Sequence, residues 1–303
     1  VLALGDLAEY QPEWVQPIST VYRGWRIYEM PPNSQGIAAL EMLNIMEQFP
    51  LPERAFDEAE ALHIKIEAQK LAYQDLRKYV GDPRFARIPV PGMLSKQYAA
   101  ERARLIDLNK AHCEVAPGIP PEQGDTIYLS VVDRDGNIVS LIQSLYLAFG
   151  SGIAVRPYGF HLQNRGGLFM MEEGHPNAAG PRKRPFHTII PAFLERENIH
   201  IGFGIMGGPN QAQAHAQFVS NLVDHGMNIQ MALEAPRFTK RTYGGCDVVI
   251  EDRFPASTLD QLRILGHELQ VAGSYVSWMG GGQAVLYDSK TGIKYGASSP
   301  RKD

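Results

Sequence analysis

Thr126 stands where unusual chemistry could begin. The stretch before it, residues 114–125, contains Pro117, Gly118, Pro120, Pro121 and Gly124, the composition of an exposed linker. The stretch after it, Ile127 to Val132, is β-rich. If the bond before Thr126 were cut, one residue would carry a hydroxyl nucleophile and a free α-amine. Such an amine has an ordinary pKa of about 7.7–8.0, suited to a general base near neutral pH. A threonine activated by its own N-terminal amine is a recognised nucleophile. On position and chemistry alone, the plainer reading of Thr126 is a β-branched residue that begins a strand.

A second constellation is Gly207-Gly208-Pro209-Asn210-Gln211, between a predicted strand (199–205) and a predicted helix (211–225). Backbone N–H groups at a helix start point outward and carry partial positive charge. That suits an oxyanion hole; the plain alternative is a tight turn with Pro209 at the first helical position. The same segment spells Gly202-x-Gly204-x-x-Gly207, a dinucleotide fingerprint by letter. The fingerprint should follow a strand, and here it overlaps one. No acidic second strand follows at the proper distance, and Ile229 to Leu233 reads helical. A dinucleotide oxidoreductase is thus a distant rival. The nine histidines show no metal-binding spacing, so neither metal nor cofactor is expected.

The elements that must hold these groups change character near the middle of the chain. Helical spacing of apolar residues runs from Ile37 to Phe49, from Ala55 to Val80 and from Ser95 to Asn109. Leu62, Ile66, Lys70 and Tyr73 share one face of the second helix, and Gly81-Asp82-Pro83 ends it. Beyond the linker, apolar runs at Ile127–Val132 and Ile138–Leu147 flank Asp135-Gly136, a hairpin signal. Helices before a linker and strands after it predict an α+β layered fold.

The 303 residues carry a net charge of -4 and a pI of about 6.2, without a basic run. Nucleic acid and an anionic membrane are therefore poor partners, and no apolar stretch is long enough to span a bilayer. Val1 to Tyr10 does not read as a signal peptide, and the true N-terminus is expected upstream. Cys113 and Cys246 are too few for a disulfide framework and leave compartment undecided.

Several ordered motifs carry a family resemblance. Thr126-Ile127-Tyr128-Leu129-Ser130-Val131-Val132-Asp133, with Asp135-Gly136-Asn137, resembles the small-subunit start of the gamma-glutamyltransferase (glutathione hydrolase) family. The resemblance continues at Phe149-Gly150-Ser151-Gly152, Ala235-Pro236-Arg237-Phe238 and Tyr295-Gly296-Ala297-Ser298-Ser299-Pro300-Arg301. Upstream, Tyr22-Arg23-Gly24, Met30-Pro31-Pro32-Asn33-Ser34-Gln35-Gly36 and Gly81-Asp82-Pro83 resemble the end of the large subunit.

The resemblance implies a four-layer αββα N-terminal nucleophile (Ntn) hydrolase sandwich. Residues 1–125 would be part of a large subunit and 126–303 the small subunit, both from one precursor cut between Asp125 and Thr126. Thr126 would then attack a small-molecule amide and pass the acyl group to water or an amine. The resemblance places a supporting hydroxyl at Ser144 and oxyanion donors at the backbone of Asn210 and Gln211. A homo-oligomer stays open.

This chain departs from the family in its substrate residues. Tyr146 replaces an asparagine, Leu168 an aspartate that holds the substrate α-amino group, Arg165 a glutamine, and His187-Thr188 a paired serine. These changes resemble the branch that includes cephalosporin (glutaryl) acylases and oxamate amidohydrolases. Arg165 suggests a carboxylate in the pocket in place of a zwitterion; its plainer reading is a surface ion pair. The alternatives are therefore an acylase for carboxylate-bearing amides without an α-amino group, and a non-catalytic ligand-binding relative.

Overall fold

The computed structural model describes residues 3–113 and 125–302. The helices are α1 (Leu4–Glu9), α2 (Gly36–Met46), α3 (Ala59–Tyr79), α4 (Val90–Met93), α5 (Lys96–Ala103), α6 (Gln211–Val223), α7 (Ile229–Glu234) and α8 (Ala256–Ile264). The first strands are β1 (Ile18–Tyr22), β2 (Trp25–Glu29), β3 (Asp125–Val132), β4 (Ile138–Tyr146), β5 (Ala154–Val155) and β6 (Phe160–His161). Then follow β7 (Ala192–Arg196), β8 (Ile199–Ile205), β9 (Phe238–Thr239), β10 (Asp247–Glu251), β11 (Glu268–Ala272), β12 (Gly282–Asp288) and β13 (Lys294–Ser298).

The main sheet has the order β1-β2-β7-β8-β12-β13 and is antiparallel throughout. Strands from both sides of position 125 share it, so the two halves of the chain form one folded unit. Side chains alternate along β8. Ile201, Phe203 and Ile205 are buried on one side, where the ring of Phe203 lies 4.8 Å from Phe218 of α6. α2 also covers this side, and α3 packs on α2.

The other side of β8 presents Gly202 and Gly204 to the β3–β4 hairpin. A Cβ on Gly204 would stand 2.4 Å from the Tyr128 ring, and one on Gly202 would stand 2.7 Å from Cγ2 of Ile138. Bare backbone is thus a steric condition for the two β layers to meet. This accounts for the glycine spelling that imitates a dinucleotide fingerprint. The hairpin itself closes through Asp133, whose Oδ1 accepts from the N–H groups of Asp135 and Asn137, both at 2.9 Å. Its outward residues Ile127, Leu129, Val131, Val139 and Leu141 are exposed. The class is α+β, and the described residues supply three of the four expected layers: helices, sheet and hairpin.

Four helix expectations need correction in length. α3 begins at Ala59 and not at Ala55, because Glu58 before it is extended, with ψ 140°. α2 ends at Met46 where the pattern extends to Phe49. α5 stops at Ala103, well short of Asn109: Leu105 N–H and Ile106 N–H donate to Arg102 O and Ala103 O at 3.0 and 3.1 Å, which tightens the last turn and ends the α-helical ladder. α6 stops at Val223, in a turn where Gly226 takes φ +64° and Met227 N–H donates back to Asn221 O at 3.1 Å. The shared face expected on α3 is divided: Leu62 and Ile66 enter a small core with β10 and α8, whereas Tyr73 enters the main core. The linker reading at 114–124 lies outside the described residues. No helix among the described residues is long and apolar enough to cross a membrane.

Two remote motifs converge on Glu251, which is fully buried at the end of β10. Arg301 donates to both its oxygens at 2.7 Å, and the Arg237 N–H donates to one at 3.2 Å. Burial alone would raise the Glu251 pKa, but hydrogen bonds and charge from Arg301 and Arg253 outweigh it and hold it lowered. The Arg237 guanidinium also binds Met279 O at 3.3 Å and Gly280 O, which fixes the loop entering β12.

The contact between β layers makes a testable demand. Gly204→Ala should lower unfolding stability by about 1–3 kcal/mol through overpacking. An unchanged urea midpoint would show that the hairpin does not rest on that glycine.

Candidate active site

Thr126 lies directly opposite Ser144 in the β3–β4 ladder, and Thr126 Oγ1 donates to Ser144 Oγ at 3.1 Å. The pairing works because both residues fall on the inner face of the hairpin, together with Tyr128. Ser144 Oγ also accepts from the Tyr146 N–H at 2.8 Å. The register shifts at this point: Thr126 faces Ser144, yet Asp125 faces Tyr146. Leu145 is the extra residue of a bulge. Tyr146 has φ +80°, a left-handed conformation that costs a non-glycine residue of order 1–3 kcal/mol. The peptide before Thr126 therefore sits at an irregularity in the ladder. Thr126 itself is 5% exposed.

Tyr146 connects this pair to Arg165. The guanidinium carbon of Arg165 lies 5.2 Å from the centre of the Tyr146 ring. Its Nη1 donates to Thr188 Oγ1 at 3.0 Å. Its Nη2 is buried with no hydrogen-bond partner among the described residues. Arg165 is 5% exposed, and burial pushes its pKa down to about 10, so it stays cationic at neutral pH. This overturns the surface-ion-pair reading. Its neighbours among the described residues include the Tyr146 ring and the Thr188 hydroxyl. Leu168 is buried and places an apolar side chain where the resemblance calls for an aspartate.

His187 and Thr188 are held by the motif that begins at Pro31. His187 N–H donates to Asn33 O at 3.0 Å, and Asn33 Nδ2 donates to Pro185 O at 2.6 Å. Gln35 Nε2 donates to Thr188 O at 2.6 Å and to Gly208 O at 2.9 Å. Gln35 thus joins the Thr188 segment to the Gly207–Gln211 turn. Its motif was visible in the sequence, but its role needs the two loops side by side. Burial, with the charges of Arg165 and Arg184, pushes the His187 pKa down to about 3.

The expected oxyanion donors are engaged within their own turn. Asn210 N–H donates to Gly207 O at 3.2 Å, and Gln211 N–H donates to Gly208 O. Service to an oxyanion would need these protons shared in three-centre bonds, which are common at helix ends. Thr126 shares no hydrogen bond with this turn among the described residues. The Gln211 side-chain amide is fully buried and unpaired among the described residues.

The histidine spacing missed one cluster: ligand atoms of His63, Glu67 and His267 lie within 4.8 Å of one another. His63 and Glu67 are one turn apart on α3, and His267 precedes β11. His63 Nδ1 and His267 Nε2 are 2.7 Å apart, a hydrogen bond, and Lys70 Nζ donates to Glu67 at 2.6 Å. Burial, with Lys70, His63 and Lys240, pushes the His267 pKa down to about 2. Two lysines facing the cluster oppose a further cation, so it reads as a hydrogen-bonded network.

Comparison with known proteins places this geometry. The family model described as Gamma-glutamyltranspeptidase matches residues 1–303. The chain is 36% identical to the glutathione hydrolase-like YwrD proenzyme of Bacillus subtilis, covering 100% of this chain and 57% of that protein. It is 30% identical to the oxamate amidohydrolase proenzyme of Klebsiella pneumoniae, with 100% and 57% covered. Among solved structures it superposes on cephalosporin acylase from Bacillus halodurans with a TM-score of 0.89 and 42% identity, over 99% of this chain and 54% of that one. The chain thus spans about half the length of these relatives.

Two measurements probe the pocket without a substrate. Arg165→Met should leave the unfolding midpoint unchanged or raise it, since it removes an uncompensated buried cation. A loss of about 2 kcal/mol would make the guanidinium a structural cross-link instead. His187 has a folded pKa below its unfolded value, so it adds stability above pH 6.5 or so that is lost as pH falls toward 3. His187→Gln should therefore flatten the decline in stability between about pH 6.5 and 4; parallel curves for variant and wild type would refute this.

Proposed function

The chain belongs to the gamma-glutamyltranspeptidase family, and we propose that it is an N-terminal threonine amidohydrolase for amides whose acyl part carries a carboxylate. The observation that carries this reading is the buried Arg165 guanidinium, with one nitrogen unpaired among the described residues, beside Tyr146 at the end of the hairpin that bears Thr126 and Ser144. A carboxylate accepting from that nitrogen would supply the missing anion in a charge-assisted bond. Leu168 offers nothing to an ammonium, which disfavours an amino-acid zwitterion.

Processing precedes turnover in this scheme. Thr126 Oγ1 adds to the carbonyl carbon of Asp125, the C–N bond breaks, and an ester forms. Water hydrolyses the ester, leaving a carboxylate on Asp125 and an α-amine on Thr126. In turnover, that amine accepts the Thr126 hydroxyl proton as Oγ1 adds to the substrate amide. The proton passes to the leaving amine, and water or another amine releases the acyl group. Ser144 orients the hydroxyl, and the peptide N–H groups of Asn210 and Gln211 receive the oxyanion by proton sharing. Processing of this kind agrees with the relatives named as proenzymes. A carboxylate-bearing acyl group agrees with the relative named for oxamate.

A second reading, γ-glutamyl transfer, is favoured by the relative named glutathione hydrolase-like. Parallel assays of glutaryl- and γ-glutamyl-p-nitroanilide separate the two. The glutaryl compound should be turned over at least about tenfold faster, the discrimination worth one good polar contact; the reverse order would defeat the carboxylate reading.

Mass spectrometry of the purified full protein should reveal a fragment that begins at Thr126, and Thr126→Ala should remain uncut. A wild-type chain that never yields this fragment would leave the non-catalytic relative as the better account. Ser144→Ala should slow processing and turnover by about tenfold, the loss of one hydrogen bond to the nucleophile. Unchanged rates would remove Ser144 from the mechanism.

A further inference from the structure

Cys113 and Cys246 form a disulfide, with Cα atoms 4.8 Å apart. Their separation in sequence is 133 residues, and position 125 falls between them. Cys113 is the last described residue before the stretch that leads to Thr126, and Cys246 immediately precedes β10. On the reading of cleavage between Asp125 and Thr126, each fragment carries one of the two sulfurs. We propose that this bridge is an inter-subunit tether, which keeps the two fragments covalently joined after processing.

The surroundings fix both ends of the bridge. Ala111 N–H donates to Leu265 O at 2.6 Å, and Lys70 Nζ donates to His112 O at 3.0 Å. His112 N–H donates to Glu67 at 3.4 Å. On the other side, Glu268 N–H donates to Cys246 O at 2.8 Å, which locks the start of β10 beside β11. Residues 111–113 thus sit between α3, on the earlier side of the proposed cut, and the Leu265 and Cys246 segments beside α8 and β10, on the later side. Cys246 is buried and Cys113 exposed, so a small thiol can reach the bridge from one side.

Cleavage changes what the bridge does. In the uncut chain it closes a loop and restricts the unfolded state. After the cut that loop no longer exists, and the bridge connects two chains. Loss of one fragment then requires reduction as well as unfolding, and re-association becomes intramolecular with a high effective concentration. Structural bridges of this kind persist in an oxidising compartment.

The test uses the full protein, purified from an oxidising compartment without reductant and denatured in excess iodoacetamide. Electrophoresis should show one covalent species without dithiothreitol and two with it, the smaller-numbered fragment ending before Thr126. Dithiothreitol gives two thiols from the bridge and itself becomes a cyclic disulfide, so the change needs no other reagent. Two separate fragments in both lanes, with two alkylated cysteines, would overturn the tether and leave the processing reading intact. A single uncut chain in the reduced lane would sink the processing reading, and the tether with it. Cys113→Ser should release the fragments without reductant. Its recovery of activity from urea should fall over about a hundredfold dilution, where the wild type recovers independently of concentration. Equal dependence in both proteins would also overturn the proposal.

Discussion

Tyr128 lies flat against Gly204, and the position of Thr126 follows from that contact. The ring fills the space that any side chain on Gly204 would need, with its nearest atoms 2.4 Å from an ideal Cβ. Ile138 does the same above Gly202. These contacts set which face of the hairpin is inner, because a one-residue slip would turn every side chain over. Thr126 and Ser144 share that face with Tyr128, so the hydroxyl pair is delivered to the sheet together with the ring. The bulge at Leu145 interrupts the ladder just beyond the pair and leaves Tyr146 with φ +80°.

Around this contact, polar side chains hold loops that have no regular structure of their own. Gln35 spans from Thr188 O to Gly208 O, and Asn33 fixes Pro185 and His187. Glu251 gathers Arg301, Arg253 and the backbone of Arg237. Each is buried and bonded to backbone or opposite charge, the condition under which buried polar groups are tolerated. Arg165 differs. Among the described residues it has a ring on one side and a hydroxyl on another, and its Nη2 has no hydrogen-bond partner.

Sequence patterns follow locally determined features well. Alternation and the Asp135-Gly136 pair specify the hairpin, since both depend on neighbours along the chain. The main helices follow from apolar spacing, but their ends do not. α5 ends in i→i−3 bonds from Leu105 and Ile106, and α6 in the Gly226 turn, and apolar periodicity registers neither. Glycine letters are equally ambiguous. Gly202 and Gly204 fit a dinucleotide loop by spelling, and only the opposing layer shows that they serve packing.

For the site, the sequence by itself determined the candidate nucleophile, its family and the changed residues of the pocket, because motif order and residue type are properties of the chain. It could not tell a surface Arg165 from a buried one, which depends on Tyr146 and Thr188 meeting it from separate segments. It could not place Gln35 between two loops or join Cys113 to Cys246. Those facts belong to the tertiary structure alone, because each requires closing a long loop to bring distant side chains within a few ångströms.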